Sequence, residues 1–280
     1  MKIEQTYNLF GHRFTFRTNQ ARAAQLFADL YAGRTDTGGD SPGSVYELLR
    51  RAGANGEVQW TIEVPGMYVQ IKPSLGDCLA GVEAAIANDL CHSSAGLHVI
   101  HGALVYAPEG DLLITGRSGA GKTTLSLALA ARGLRVGGDD ITVLDPATGL
   151  VEPVPRCFHL DEQSVALLAG MGLSLPEDAL RDQFVTPGLL GVFQPPPARV
   201  RFAFFLEAER VAAPRLVSET QAEMVSALLK QTGRGRFTDL EGIHAMAGLI
   251  GRCRCYRVWA GELGATAEAV LRVFLAAAPL

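Results

Sequence analysis

The sequence predicts an α/β protein in two parts, a small α+β region over residues 1–95 and a larger α/β domain over 96–280. Three observations predict it. Asn55-Gly56 stands between two strand-like runs, and both residues tolerate the positive φ of a hairpin turn. From Leu97 onward, apolar runs of strand length alternate with segments of helical spacing. One glycine-rich loop, residues 116–121, separates an apolar strand from a helix, and two adjacent acids follow the next strand.

In the first part, residues 7–10 and 13–18 flank Gly11-His12, with Phe14 and Phe16 alternating as in a hairpin. Residues 20–31 place Ala24, Phe27, Leu30 and Tyr31 at helical spacing. Residues 33–43, rich in Gly, Asp, Thr and Ser, read as a loop. Runs at 45–50 and 58–64 bracket the Asn-Gly turn, and 77–91 reads as a helix. In the second part, strands over 97–106 and 112–115 are joined by a Pro108-Glu109-Gly110-Asp111 turn. A helix over 123–132 is stopped by Gly133. A short strand over 135–138 runs into Asp139-Asp140, and 141–144 continues to a turn at 145–149. Residues 187–198 form a second loop zone, because Pro195-Pro196-Pro197 cannot enter a sheet interior. Beyond it, 200–206 reads as a buried strand, 256–259 as extended, and 221–229, 240–250 and 266–276 as helices.

A chain of 280 residues, 48% hydrophobic and 19% charged, has an ordinary globular composition and enough volume for a sizeable core. Lys+Arg 25 against Asp+Glu 29 leaves no basic surplus, which argues against a nucleic-acid partner. No apolar run approaches the roughly 20 residues that cross a bilayer, so no membrane partner is expected. The first residues lack the apolar core of a signal peptide, and the expected compartment is the cytoplasm. Five cysteines cannot all pair, and Cys253-x-Cys255 is too tight for a zinc knuckle; buried or free thiols are expected. The sequence leaves a homo-oligomer open.

Residues 116–124 read G-R-S-G-A-G-K-T-T and satisfy G-x-x-x-x-G-K-[ST] in full. Gly116, Gly119 and Gly121 let successive N–H groups of the loop, through Arg117, Ser118 and Ala120, turn inward on a phosphate. The helix that follows adds its positive end. Lys122 is expected to face solvent and reach the β- and γ-phosphates of ATP, with Thr123 as a Mg²⁺ ligand and Thr124 completing the loop. The strand before and the helix after fit the motif.

Asp139-Asp140 follows Gly137-Gly138, a pair expected to let the backbone approach a ligand closely. One carboxylate can hold Mg²⁺ and the other can take a proton from an acceptor hydroxyl. The alternative is an Asp turn that caps a strand. Two acids on apolar flanks beside such a loop, however, call for cations to offset their desolvation. His101 sits in the apolar strand upstream and, taken alone, reads as a core histidine, as does His98.

The run 100–144 resembles the kinase domain of HPr kinase/phosphorylase and its relatives. His101-Gly102, the G-R-S-G-A-G-K-T-T loop, Ala131-Arg132-Gly133 and Gly138-Asp139-Asp140 carry the likeness. ATP-dependent phosphoenolpyruvate carboxykinase looks similar in its loop, acidic pair and upstream histidine, but that family's chains are much longer. No basic cluster here suits a dicarboxylate. The resemblance implies a P-loop kinase core of the HPr kinase/phosphoenolpyruvate carboxykinase type, with ATP and Mg²⁺, and it moves His101 to the metal and phosphates. It also implies Asp139 as base and Asp140 with Thr123 on the metal side; the residues alone leave these two roles exchangeable.

Asp145-Pro146-Ala147-Thr148-Gly149 and Pro155-Arg156-Cys157-Phe158-His159-Leu160 look like HPr-kinase-related proteins found beside peptide-modifying enzymes. The Gly-rich acidic signature of true HPr kinase/phosphorylase is not found, so neither HPr as substrate nor phosphorylase activity is implied. Arg156 and His159 are candidates to face the acceptor, or else lie on a surface connection. Arg234 and Arg236, in a Gly-rich loop, are candidates to clamp a phosphate or an acidic substrate, or else are solvated. The expected reaction is transfer of the ATP γ-phosphoryl group to a hydroxyl, that of Ser or Thr in a peptide or protein. A metabolite kinase and a nucleotide-gated binding module with weak ATPase activity are the alternatives.

Overall fold

Phe10 and Gly11 take φ of 52° and 83°, the pair of left-handed residues that a two-residue hairpin turn requires. The strands on either side, β1 (Ile3–Leu9) and β2 (His12–Thr18), pair antiparallel from Leu9↔His12 to Ile3↔Thr18. They open a computed structural model that describes residues 2–36, 38, 43–53, 57–67, 69–93, 96–173, 184–186, 196–230 and 240–276 of a mixed α/β protein. The chain forms two units, one of residues 1–95, 155–159 and 176–188, the other of 96–154, 160–175 and 189–280.

In the first unit α1 (Ala21–Leu30) crosses from β2 to the parallel strand β3 (Ser44–Ala52), and β4 (Val58–Glu63) and β5 (Gln70–Lys72) add antiparallel. The Asn55-Gly56 turn lies outside the described residues. Alternation sends Phe14 and Phe16 to one face. There Phe14 meets Tyr7, Tyr31 and Tyr46, and Phe16 stacks on Phe27 with ring centroids 3.7 Å apart. α2 (Leu75–Ser93) runs two residues further at each end than its spacing predicts.

The elements that follow in the chain are β6 (His98–Tyr106), β7 (Asp111–Gly116), α3 (Lys122–Ala130), β8 (Arg135–Gly138), β9 (Ile141–Leu144) and β10 (Val151–Pro153). β11 (Phe158–His159) and β12 (Phe184–Val185) pair with each other in the first unit, with α4 (Glu162–Gly170) between them in sequence. The second unit resumes with β13 (Val200–Leu206), β14 (Arg215–Glu219), α5 (Gln221–Leu229), α6 (Leu240–Ile250), β15 (Arg254–Trp259) and α7 (Leu263–Ala276).

Its eight-stranded sheet has the order β10-β9-β6-β7-β13-β15-β14, with β8 also on β6. β6 is antiparallel to both β7 and β8, so β7 and β8 run the same way with β6 between them, and α3 is their crossover. Leu104, Leu113, Ala203 and Phe205 form a core with Met224 and Leu228 of α5 and Met246 and Leu249 of α6. Phe202, one step out of phase with Ala203, meets Phe274 of α7 edge to face.

A carboxylate on α2 is buried deep in the first unit. Glu83 of α2 is 1% exposed. Its two oxygens accept the Cys157 N–H at 3.3 Å each, and one lies 3.2 Å from His159 Nε2 and 3.8 Å from Arg156 Nε. Burial first, then the charge of Glu83, push the Cys157 thiol well above its ordinary pKa. Glu83→Ala removes the carboxylate while leaving the buried Arg156 guanidinium in place, and should destabilise the protein by about 3–5 kcal/mol. Glu83→Gln, which keeps an acceptor for the Cys157 amide, should lose less. Urea denaturation of the two variants checks the order; equal midpoints would mean that the charge contributes nothing.

Candidate functional site

Gly116 ends β7 at φ 144°, and a β-carbon on it would stand 2.3 Å from the Leu206 carbonyl oxygen. Only glycine lets β13 come this close. Gly119 and Gly121, at φ 76° and 96°, supply the remaining turns, and the Ala120 amide bonds the Arg117 carbonyl at 3.1 Å. Arg117, Ser118 and Gly119 are exposed at the tip, and Ala120 is buried. Gly121 caps α3 without a side-chain acceptor, so the first-turn amides of Lys122, Thr123 and Thr124 have no side-chain cap. A helix start of this kind favours an anion. The Thr124 hydroxyl lies 3.3 Å from that of Ser164 in α4.

The expectation that Lys122 faces solvent is corrected. It is 6% exposed, and its ammonium donates to the carbonyls of Gly116 at 3.0 Å and Arg117 at 3.1 Å. A buried ammonium needs such partners, and the turn of the loop brings two carbonyls within its reach. Burial lowers its pKa, while Asp140 and Asp139 pull it back up.

Beyond a register shift of β8 between Leu104 and Val105, the pairs Leu104↔Gly138 and His101↔Ile141 are in phase along β6, so Asp139 and Asp140 lie opposite Ala103 and Gly102. The ladder is pinched there. The Asp139 carbonyl accepts the Ile141 N–H at 2.8 Å around Asp140 at φ 68°, and the Asp140 carbonyl accepts the Gly102 N–H at 3.0 Å. A non-glycine residue held this way costs about 1–3 kcal/mol, and such strain gathers at functional sites. The buried Asp139 accepts from the Thr123 hydroxyl at 2.6 Å. Asp140, 39% exposed, lies 3.0 Å from Nδ1 of His101, which is 32% exposed. Lys122, Thr123, Asp139, Asp140 and His101 thus gather where β7 and β8 both end.

Gly137 and Gly138 have a different reason from the one expected. β-Carbons there would stand 2.2 Å from the Tyr106 ring and 2.5 Å from Pro153 Cβ, so these glycines make room for side chains rather than for a ligand. Arg156 and His159 lie in the first unit around Glu83. Arg234 and Arg236 lie outside the described residues. Arg210 joins the loop as well, with its Nη2 3.0 Å from the point a Gly121 β-carbon would occupy. Strand order explains it: β13 lies beside β7 and parallel to it, so the loops that follow both strands emerge together. No spacing in the sequence signals this.

Thr123 and the two acids offer hard oxygen donors of the kind Mg²⁺ takes, and the 2.6 Å Thr123–Asp139 approach brings two of them to one point. Among the described residues no group of three or more His, Cys, Asp or Glu could hold a metal ion. The five cysteines are free, and burial raises Cys253 and Cys255 to about 12 and about 11. No described helix is long and apolar enough to cross a membrane. No protein-family model matches the chain, and no curated protein matches it.

The glycines of the loop should differ in what they tolerate. Gly116→Ala adds a clash with a backbone oxygen to an unfavourable φ and should cost about 3 kcal/mol or more. Gly119→Ala, with open space around the added carbon, should cost about 1–2 kcal/mol. Thermal melting of the two variants side by side checks this, and equal losses would refute the packing account of Gly116.

Proposed function

We propose that the chain is an ATP- and Mg²⁺-dependent kinase of the HPr kinase-like type, acting on a hydroxyl of Ser or Thr in a peptide or protein. The observation that carries the reading is the 2.6 Å bond from Thr123 to Asp139, made at the start of the helix that follows a full G-x-x-x-x-G-K-[ST] loop. A hydroxyl and a carboxylate brought together beside uncapped helix amides form a joint site for a phosphate and its counter-ion.

In this reading the amides of the loop and of the α3 start bind the β- and γ-phosphates. Lys122 exchanges its two carbonyl partners for phosphate oxygens. Thr123 and Asp139 would hold Mg²⁺, whose charge offsets that of the phosphates. Asp140 takes the hydroxyl proton as the acceptor oxygen attacks the γ-phosphorus and the bond to ADP breaks. His101 orients the Asp140 carboxylate. The roles of the two acids are thereby exchanged relative to the family resemblance. The contact of Thr123 with Asp139 and the exposure of Asp140 support the exchange.

Paired measurements test the proposal: MgATP affinity by calorimetry, and transfer to a Ser/Thr peptide as magnesium is varied. Asp140→Asn should keep MgATP affinity while transfer falls about 10²–10⁴-fold. Asp139→Asn should shift the activation curve to higher magnesium. Reversed phenotypes would return the acids to the roles given by the resemblance, and two variants that bind and transfer like wild type would sink the reading. Transfer to a free metabolite alone, or tight binding with no transfer, would point to the two alternative functions.

A further inference from the structure

Arg210 stands in an electrostatically unfavourable place. Its guanidinium lies over Gly121, with Nη2 at 3.0 Å and Cζ at 3.9 Å from the position of an added β-carbon. Gly121 opens α3, whose start carries roughly half a positive charge and repels cations. Lys122 is the next residue along, its ammonium turned to the Gly116 and Arg117 carbonyls. Arg210 is exposed, and an exposed loop arginine commonly extends into water or pairs with an acid. The loop, however, is pinned at both ends, by Glu207 N–H to the Val258 carbonyl at 2.8 Å and Val211 N–H to the Ala260 carbonyl at 3.0 Å. The Glu207 carboxylate is already held by Arg257, which also holds Glu219. Among the described residues Arg210 makes no ion pair. A guanidinium and a helix start therefore meet at Gly121, an arrangement that a multiply charged anion would stabilise.

Resting on the kinase reading above, we infer that Arg210 is a further catalytic residue, a guanidinium that binds the phosphate oxygens of ATP and takes up the charge that develops as the γ-phosphoryl group leaves ADP. A planar fork of donors suits two oxygens of one phosphate better than a lysine does. Because the charge it meets grows in the transition state, Arg210 contributes more to turnover than to binding.

The experiment compares wild type, Arg210→Ala and Arg210→Lys, with MgADP and MgATP affinities by calorimetry and MgATP consumption in a single turnover. Arg210→Ala should bind MgADP within about threefold of wild type while turnover falls about 10²–10³-fold, the scale of losing one charge-stabilising donor. Arg210→Lys should recover only part of it. Melting temperature supplies a reading that a structural role would move the other way: removing a cation from the start of α3 should leave it unchanged or raise it. Turnover by Arg210→Ala within twofold of wild type, or a loss matched by a lower melting temperature, overturns the inference. A wild type that consumes MgATP while Arg210→Ala does so equally well removes Arg210 alone. A wild type that binds neither nucleotide removes the kinase reading and this inference with it.

Discussion

One left-handed residue gathers the candidate site. By strict alternation Asp140, opposite Gly102, would share the face of Ile100 and Leu104, both part of the apolar core under α5 and α6. A carboxylate there would be buried without counter-charge, at a cost of several kcal/mol. At φ 68° the chain instead turns Asp140 toward His101, which shares its face with Ala103 and Val105. Asp139 needs no such turn, because its regular direction already leads to Thr123. The topology sets the distance: β7 and β8 are parallel with only β6 between them, so the loop and the acids finish at the same end of the sheet.

The charges at that end balance only in part. Lys122 is buried and held by neutral carbonyls, with Asp139 and Asp140 near enough to favour its charged form against desolvation. Arg210 and the start of α3 add positive charge that no described acid offsets directly. This is a polarised corner, with anionic groups on the strand side and cationic groups on the loop side. Bringing a phosphate and a divalent cation together requires such a division, since each end then attracts one of them.

Much of this was legible in the residues. The hairpin at Gly11, the glycine-rich loop with its helix, and the central strand 200–206 each carry a local signal, a turn dipeptide, a fixed spacing or an apolar run. β5, β10 and β14 were not seen, because strands of three to five residues at or near a sheet edge are defined by what they pair with. The place of Glu83 was equally hidden. It is one of several acids on a helix, and its partner Cys157 lies 74 residues on. Lys122 was misplaced because its motif describes a loop holding phosphate, whereas packing decides where the side chain folds.

The loop glycines show how far a motif speaks for a fold. Gly119 is required by its φ alone, as the phosphate-cradle argument supposes. Gly116 is required twice, by φ and by the Leu206 carbonyl of the neighbouring strand. That carbonyl has no place in the motif, yet it fixes the distance between β7 and β13 and therefore where the loop after β13 must emerge. The first glycine of the motif thus encodes a tertiary contact as well as a turn. Through that contact it sets the position of Arg210, ninety-odd residues further along a chain whose local sequence there says nothing about the loop it approaches.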